Sequence, residues 1–582
     1  MQETERKPTA SSGTAAPAGQ RRGNLGVAVA LSLLLVVHAA LLTVSAARNS
    51  VTVDEYAHLP AGLAYLKYGE WSIYHQSPPL LRMWAAWPAL LGGAEVPPAT
   101  KFRDDSPADR HWNYADEYAA LNRDRYHSLL IAARLPMIAL SAAGLLLVYG
   151  IARTLHGPGA GLLAATLYAA CPNLAANGSI VGTDAGTAVV SLAAIWCWIR
   201  FCRQPTTGRC ALAGAALSAA LLCKFSALLL IPIVAIIAAW SAVADPRRTR
   251  SIVAGVTVVT VFALLAINLA YGYRGSFTAI GEYRFGSTLL RAVQSNLPAA
   301  TPVPLPREFV RGFDEQKREA DLGYPAYLLG EQYRGRRWLY YPVAVAVKTP
   351  AATLIIIAVA VATLLARPPA RDDPQWMLVA AAATFAIGFV VLAPINIGVR
   401  YLLPIFPIAF VLAGAAWTGR RRKPAVALLA GIAMIESLPA APRFIPFFNV
   451  IAGGPINGQS ILNDSNVDWG QALIDLRRWM RDNQVDRVQL AYFGRIDPQI
   501  YGIAYTPATQ SGGERFIAVS SYFRAGMAYR MPTPGGGRTG FVDLPIAPLL
   551  RRIQPVAVVG DVIWIYDRAD VIEAMKSRDN VR

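Results

Sequence analysis

The sequence predicts a polytopic membrane protein whose membrane part is all α-helical, with large loops on the outer side and a C-terminal soluble α/β domain. Hydrophobic residues make up 54% of the 582-residue chain and charged residues only 16%, whereas charged residues approach about a quarter of a soluble globular protein. Several stretches of about 17–25 residues contain almost no charge, which is the length that a helix needs to cross about 30 Å of hydrocarbon. Both observations make the lipid bilayer the expected solvent of most of the chain.

About eleven segments have the length and composition of transmembrane helices. These segments are 26–46, 129–151, 159–176, 185–203, 210–224, 226–243, 251–272, 339–366, 376–394, 401–418 and 424–441. Arginine-rich connections at 200–209, 247–250 and 420–423 fall on one side if every segment crosses, and the positive-inside rule makes this side cytoplasmic. The N-terminus is therefore expected in the cytoplasm and the protein in the inner (cytoplasmic) membrane. This topology accounts for the net charge of +18 without a nucleic-acid partner.

The membrane part is predicted to follow a short leader. Residues 1–25, rich in Ser, Thr, Ala, Pro and Gly, are expected to form a disordered cytoplasmic leader. Residues 26–442 form the transmembrane domain, within which 47–128 and 273–338 are two large outward loops. The first apolar run could pass for a signal peptide, but it is longer than the usual apolar core of one, so we interpret it as a retained helix.

Residues 443–582 are predicted to form an extracytoplasmic C-terminal domain. Short β-prone runs at 488–493, 515–521 and 556–565 are separated by glycine-rich turns, which is typical of a small α/β domain. About 130 residues are enough for a modest hydrophobic core. The five cysteines of the chain lie in or beside predicted spans, so neither a disulfide framework nor a zinc-ligand spacing is expected.

Two adjacent acidic residues follow the first predicted transmembrane helix. Asp54 and Glu55 stand close to the membrane surface with His58, and His75 precedes a Ser-Pro-Pro step that ends the loop helix. A carboxylate in this position can accept a proton from the hydroxyl or amine of a substrate, or bind a metal with a histidine. The alternative is that both acids are simply solvated, and the rest of the sequence decides between the two interpretations.

Several short motifs occur in one order along the membrane part and the start of the tail. They are Asp54-Glu55-x-x-His58, His75-x-Ser77-Pro78-Pro79-Leu80, Arg134-Leu135, Gly182-Thr183-Asp184, Leu222-Cys223-Lys224-Phe225-Ser226, Lys348-Thr349-Pro350, Arg400-Tyr401-Leu402-Leu403-Pro404 and the run from Asp464 to Gln471. This order resembles the dolichyl-phosphate-mannose protein mannosyltransferase family of GT-C glycosyltransferases, whose bacterial relatives include the lipid A aminoarabinose transferase. The resemblance implies a GT-C transmembrane bundle.

The resemblance implies an integral-membrane glycosyltransferase that takes its sugar from a polyprenyl-phosphate donor in the bilayer. The acceptor, which is a protein, a lipid or a glycan, is expected on the outer face of the membrane. Transfer in this family is a direct displacement with inversion, so one base suffices, and we assign that role to Asp54. Glu55 is expected to bind the acceptor or to orient Asp54. Asp184 is expected to hold a substrate from the facing loop, or alternatively to cap the following helix.

Four cations fall at or near the outward ends of predicted spans, namely Arg134, Lys224, Lys348 and Arg400. The phosphate leaving group gains negative charge as the glycosidic bond breaks, so cations at this boundary would stabilise the transition state. The resemblance implies that Arg134 corresponds to the arginine with which members of the family hold the lipid phosphate. It likewise implies that Lys224 corresponds to the family's lysine at a break between two short helices. The alternative for each cation is snorkelling from a helix end into water.

Three further residues are candidates for substrate binding. His58 and His75 could contact the acceptor, the phosphate or a divalent metal, and their alternative is structural hydrogen bonding. Nothing in the sequence forms a closed set of metal ligands, so no metal site is assigned. Trp469 lies in a polar, turn-like run and could stack on a sugar. The alternative is that this run ties the tail to the outer loops through its capping residues.

Two other functions fit a chain with many helices. A transporter or flippase for a lipid-linked or small substrate would place ionisable residues at mid-membrane and show repeated halves, whereas the acids here lie in outer loops and no repeat is visible. A non-catalytic scaffold would leave Asp54 and Glu55 dispensable. The ordered motifs favour the glycosyltransferase over both.

Overall fold

The computed structural model describes residues 18–392, 395–510 and 512–579. Among these residues, seven helices are long and apolar enough to cross a membrane. They are Leu25–Arg48, Arg123–His156, Asp184–Arg203, Phe225–Ala244, Pro246–Ala270, Pro374–Leu392 and Lys423–Ala440. The chain is therefore a multi-pass membrane protein, as expected. The first helix begins at Ala18, inside the segment predicted as a leader, and residues 1–17 lie outside the described residues.

Two further pairs of helices have the same apolar character but are bent. Pro158–Ala169 and Pro172–Gly178 meet at 65°, and Tyr340–Lys348 and Ala351–Ala366 meet at 113°. A proline stands at each break, where it cannot donate the next helical hydrogen bond. If each bent pair is one span, the described part of the chain has up to nine spans by length and composition.

The two remaining segments predicted as spans form shorter helices. The segment 210–224 is the helix Thr207–Leu221 of 15 residues, and 401–418 is the helix Ile405–Ala413, which a 3-10 turn continues. Both are shorter than the roughly 20 residues that a straight span needs. The first ends early because the backbone becomes extended at Lys224.

The first outer loop is largely helical and packs closely. Its helices are Val53–Tyr68, Leu80–Leu91 and Pro107–Leu121. The first two approach each other at Gly62, where an added Cβ would lie 2.3 Å from the carbonyl oxygen of Arg82. This contact requires glycine, and it holds the helix that carries Asp54 against its neighbour.

The second outer loop covers the first. It contains the helices Thr288–Ser295 and Arg307–Leu322 and an antiparallel hairpin, Pro325–Leu328 with Glu331–Arg334. Gly312 of the longer helix lies so close to the first loop that a Cβ would be 2.2 Å from the carbonyl oxygen of His75. The two loops therefore pack against each other as one layer.

The tail forms the predicted α/β domain around a five-stranded sheet. The strands lie in the spatial order Tyr505–Pro507, Val488–Ala491, Phe516–Ser520, Ile563–Asp567 and Ala557–Val559. The first three are parallel, and the fourth runs antiparallel to both of its neighbours. A second hairpin pairs Tyr529–Thr533 with Gly537–Val542. The accompanying helices are Gly454–Gly458, Leu473–Asp482, Ser521–Arg524, Ala547–Leu550 and Arg568–Asp579.

Backbone hydrogen bonds join the tail to the first outer loop. The Ser50 amide donates to the Gln471 carbonyl over 3.0 Å, and the Val53 amide donates to the Trp469 carbonyl over 2.9 Å. The run Asp464 to Gln471 thus ties the tail to the loop, which is one of the two roles considered for it. The contact also brings the ring of Trp469 next to the start of the helix that carries Asp54.

Candidate active site

A cavity of about 450 Å³ lies where the two outer loops, the ends of membrane helices and the C-terminal domain meet. Five of the ten residues proposed from the sequence line it, together with Tyr401 and Asp464. The five are Asp54, His58, Lys224, Arg400 and Trp469. A cavity that is enclosed by separate parts of the chain and carries a few charged groups is the usual form of a binding site.

Four charged side chains form a network at the membrane end of this cavity. The Nη1 atom of Arg400 lies 2.6 Å from Oδ2 of Asp54 and 3.5 Å from Oδ2 of Asp184. Nζ of Lys224 lies 2.5 Å from Oδ1 of Asp184. The side chain of Asp54 is 28% exposed and that of Asp184 only 5%. Asp54 is therefore the acid of this network that a substrate in the cavity can reach.

Arg400 controls the protonation of Asp54. Burial alone raises the pKa of the Asp54 carboxyl, but the charge and the hydrogen bond of Arg400 bring this pKa below its ordinary value of 3.8. Asp54 is thus ionised at neutral pH. It is able to accept a proton, and its basicity depends on how strongly Arg400 holds it.

Asp184 is the first residue of the helix Asp184–Arg203, and Thr183 is the N-cap residue. The alternative of Asp184 as the helix cap is therefore wrong. Its carboxylate stands in the first turn, where the helix dipole favours a negative charge, and it contacts Lys224 and Arg400. Asp184 joins the two cations of the network.

Arg134 and Glu55 pair with each other away from the cavity. Nε and Nη2 of Arg134 donate to the two oxygens of Glu55 over 2.8 and 2.6 Å. Its remaining donors bind the backbone carbonyls of Ala46, Asn49 and Ser50. Both side chains are 0% exposed. All five N–H groups of Arg134 are used inside the protein, so the structure does not bring it to the site where a phosphate was expected, and Glu55 does not reach the cavity either.

Lys348 also lies outside the cavity. Its ammonium donates to the carbonyls of Ile445 and Asn466 over 2.8 and 2.6 Å and lies 4.5 Å from the ring centre of Phe448. The lysine thereby joins the bent helix pair to the start of the tail. The structure therefore does not bring Lys348 to the cavity, where the phosphate-binding role expected from the sequence would place it.

The two histidines have different surroundings. His58 lines the cavity, its Nδ1 lies 3.1 Å from the Val181 carbonyl, and burial lowers its pKa to about 4, so it is neutral at pH 7. His75 lies behind the cavity, with Nε2 2.6 Å from Glu308 and Nδ1 3.6 Å from Glu315. His58 can therefore contact a substrate, whereas His75 holds the second outer loop.

The ion pairs of His75 should make the docking of the helix Arg307–Leu322 depend on pH. Burial alone lowers the pKa of His75, but Glu308 and Glu315 raise it from 6.5 to about 9. Because the folded-state pKa is the higher one, the pairs stabilise fully below pH 6.5 and are lost as the pH rises through 9. We expect the melting temperature to fall across this window, and to fall less in His75→Gln. An identical fall in both proteins would contradict the assignment.

Asp464 and Tyr401 belong to the site but were not selected from the sequence. Asp464 lines the cavity with its backbone in the left-handed region, at φ 59°. Burial raises its pKa to about 6, and its Oδ1 accepts a hydrogen bond of 2.6 Å from the amide of Ser465. The ring of Tyr401 lies 4.7 Å from Nζ of Lys224. The sequence offers two roles for the motif around Asp464, facing the acceptor through Trp469 or tying the tail to the loops, and Asp464 itself has only the pattern of a turn and capping residue.

The charged network does not fit a divalent metal. No group of three or more His, Cys, Asp or Glu side chains in the described part of the chain has the arrangement of a metal site. Asp54 and Asp184 are already paired with Arg400 and Lys224, and two adjacent cations disfavour a further one. No step of the proposed reaction is assigned to a metal.

Comparison with known proteins gives one family match and several distant structural ones. Residues 127–271 match the family model described as dolichyl-phosphate-mannose-protein mannosyltransferase, and no curated protein matches the chain. ArnT from Cupriavidus metallidurans, bound to undecaprenyl phosphate, has 15% identity and a TM-score of 0.43 over 70% of this chain. The oligosaccharyltransferase AglB from Archaeoglobus fulgidus, with an inhibitory peptide and a dolichol-phosphate, has 13% identity and a TM-score of 0.42, covering 91% of this chain and 75% of AglB. The chain covers 63% of the length of ArnT.

Proposed function

We propose that this chain, which matches the model of the dolichyl-phosphate-mannose-protein mannosyltransferase family over residues 127–271, transfers a sugar from a polyprenyl-phosphate donor to an acceptor on the outer face of the membrane. The observation that carries the proposal is the network of two acids and two cations at the membrane end of the cavity. Asp184 and Lys224 of this network lie within the matched segment, and Asp54 and Arg400 complete it from elsewhere in the chain.

Lys224 and Arg400 are suited to bind the donor phosphate. The breaking of the bond between the sugar and the phosphate oxygen leaves negative charge on the phosphate, and buried cations beside it stabilise that charge more strongly than water does. Both cations line the cavity, and Lys224 directly precedes the membrane span Phe225–Ala244. A phosphate at the head of a membrane lipid would therefore meet them without leaving the bilayer surface.

Asp54 is suited to be the base. The acceptor oxygen attacks the anomeric carbon from the side opposite the phosphate, its proton passes to the Asp54 carboxylate, and the sugar is transferred with inversion. The donor phosphate competes with Asp54 for Arg400. Once the phosphate engages Arg400, Asp54 loses the charge that lowers its pKa and becomes a stronger base, so donor binding prepares the acceptor step.

The proposed orientation in the membrane follows from the positive charges at the helix ends that lie away from the cavity. Arginines cluster at 247–250 and 420–423, on the ends of spans that lie away from the cavity in the predicted topology, and such clusters favour the cytoplasmic side. We therefore propose that the cavity and the C-terminal domain are extracytoplasmic, that the N-terminus is cytoplasmic, and that the membrane is the inner membrane.

Transfer in proteoliposomes tests the function. We expect purified protein to release polyprenyl phosphate from polyprenyl-phosphate-mannose, and the anomeric configuration of the product to be opposite to that of the donor. Removal of a charged hydrogen bond to phosphate costs about 1.5–3 kcal/mol, so Lys224→Met should weaken binding of the radiolabelled donor about 10- to 100-fold.

The matched control is Lys101→Met, which removes an exposed lysine of the first outer loop that pairs with Glu117. Donor affinity should not change in this variant. Equal affinity in the Lys224 and Lys101 variants would contradict the phosphate role of Lys224. Movement of the donor across the vesicle membrane with no sugar released would favour the transporter alternative instead.

A further inference from the structure

Four rings follow one another along the lining of the cavity. His58 and Tyr74 have their ring centres 5.4 Å apart, and Tyr74 stacks on His111 at 4.7 Å. His111 in turn contacts Trp112 at 4.5 Å. All four line the cavity. The faces of Tyr74 are already contacted by His111 and by the guanidinium of Arg82, 4.3 Å from its ring centre, so these packed rings form a rigid wall that leads to Trp112.

Arg495 stands at the far end of this row. Its guanidinium lies 4.0 Å from the ring centre of Trp112, and its Nε donates a 2.8 Å hydrogen bond to the hydroxyl of Tyr529. The stacked guanidinium lines the cavity. Its position is set by two aromatic side chains from different parts of the chain, so the charge is held in place before any ligand arrives.

Arg495 differs from the arginines around it. Arg538 pairs with Asp116, and Arg530 lies 3.9 Å from Asp109. Within the described residues, Arg495 forms no ion pair of its own, although its charge acts on Asp116, which pairs with Arg538. A largely buried positive charge without a paired anion is costly, so an acidic group of a ligand would be favoured at this position.

The C-terminal domain supplies further rings of the cavity lining. Phe493 and Tyr522 stack with their ring centres 3.9 Å apart, and Tyr529 meets Phe493 edge to face at 4.7 Å. Phe541 lines the same cavity and is 65% exposed. Rings from the first outer loop and from the C-terminal domain thus line the same cavity as Arg495.

We infer that the part of the cavity lined by Trp112, Arg495 and Phe541 is the acceptor site and that its ligand is an anionic glycan, whose sugar rings pack against Trp112 and the exposed Phe541 and whose acidic group binds Arg495. The inference rests on the proposed function, because it uses the transfer site at Asp54 as the other end of the cavity. A glycan fits this lining because exposed aromatic surface can pack on sugar rings. Its carboxylate or phosphate matches the planar donors of a guanidinium, which bind such groups through two parallel hydrogen bonds.

Direct binding tests the inference. The probe is trigalacturonate, added to the full-length protein in lipid nanodiscs and followed by calorimetry, and its neutral methyl ester is the matched ligand. We expect the acid to bind at least about 10-fold more tightly than the ester, since hydrogen bonds to charged groups contribute about 1.5–3 kcal/mol. Glucose 1-phosphate in a parallel titration distinguishes phosphate from carboxylate as the preferred acid. Binding of neither acid would overturn the inference.

The protein contains a close control for Arg495. Arg524 also stacks on a tryptophan, 3.8 Å from the ring centre of Trp564, and also donates through Nε to a tyrosine hydroxyl, that of Tyr566 at 2.9 Å, but it does not line the cavity. We expect Arg495→Gln to weaken trigalacturonate binding about 10-fold or more and Arg524→Gln to leave it unchanged. Equal losses in the two variants would overturn the inference.

Further measurements distinguish loss of the Arg495 charge from other causes of weak trigalacturonate binding. Arg495→Lys retains the charge without the planar stack, so its affinity should lie between those of the native protein and Arg495→Gln. The titrations contain no donor, so trigalacturonate binding is measured whether or not the protein transfers a sugar, which separates a failed acceptor site from a failed transfer reaction. Tighter binding of a poly-glutamate peptide than of trigalacturonate would overturn the glycan in favour of an acidic protein segment.

Discussion

Replacement of Asp54 by asparagine is expected to reduce sugar transfer by about 100- to 10,000-fold, which is the usual contribution of a positioned general base. The amide is nearly the same size as the carboxylate and can still accept the hydrogen bond from Arg400, so the fold should be preserved. It cannot take up the proton of the acceptor. The measurement is release of polyprenyl phosphate by Asp54→Asn in proteoliposomes, at saturating donor.

The donor affinity of Asp54→Asn distinguishes loss of the catalytic base from a general loss of structure. Binding of the labelled donor to Asp54→Asn should be as tight as in the native protein or tighter, because Arg400 is no longer held by a negative charge. Asp124→Asn, which changes an exposed acid near the end of the same outer loop, should transfer at the native rate. Near-native transfer by Asp54→Asn would exclude Asp54 as the base.

Replacement of Glu55 by glutamine is expected to lower the free energy of unfolding by about 3–5 kcal/mol, because it leaves Arg134 as a buried charge without a counterion. Glu55 also accepts hydrogen bonds from the amides of Thr52 and Val181 over 3.0 and 2.7 Å. The carboxylate thus joins the start of the helix Val53–Tyr68 to two other segments. Reversible denaturation of the detergent-solubilised protein measures the change.

An exposed ion pair of the same outer loop provides the comparison. Lys101 and Glu117 are 2.7 Å apart, with side chains 56% and 35% exposed, and such pairs contribute about 0–1 kcal/mol. Glu117→Gln should therefore have little effect on stability. If Glu55→Gln is as stable as Glu117→Gln but binds donor poorly, the functional role first expected for the Glu55 and Arg134 positions would be restored.

Local sequence properties predict much of the architecture of the membrane part. Apolar segments long enough to span the bilayer and a β-prone tail are such properties, and the helices and the sheet form where they occur. The differences lie at helix ends and at the two proline breaks that bend predicted spans. The helix Thr207–Leu221 stops short of the predicted boundary because the backbone is extended at Lys224, which a count of apolar residues does not register.

The sequence by itself also placed several charged residues beside the predicted membrane spans, but only the tertiary structure decided how they pair. Asp54 and Glu55 are neighbours in sequence, yet successive residues of a helix point in different directions. Asp54 therefore meets Arg400, 346 residues away, at the cavity, while Glu55 meets Arg134 in the protein interior. The local sequence pattern predicts where an ionisable residue lies relative to a membrane span. Long-range packing sets which residue it pairs with. This partner decides whether the charge is available to a substrate or is used to stabilise the fold.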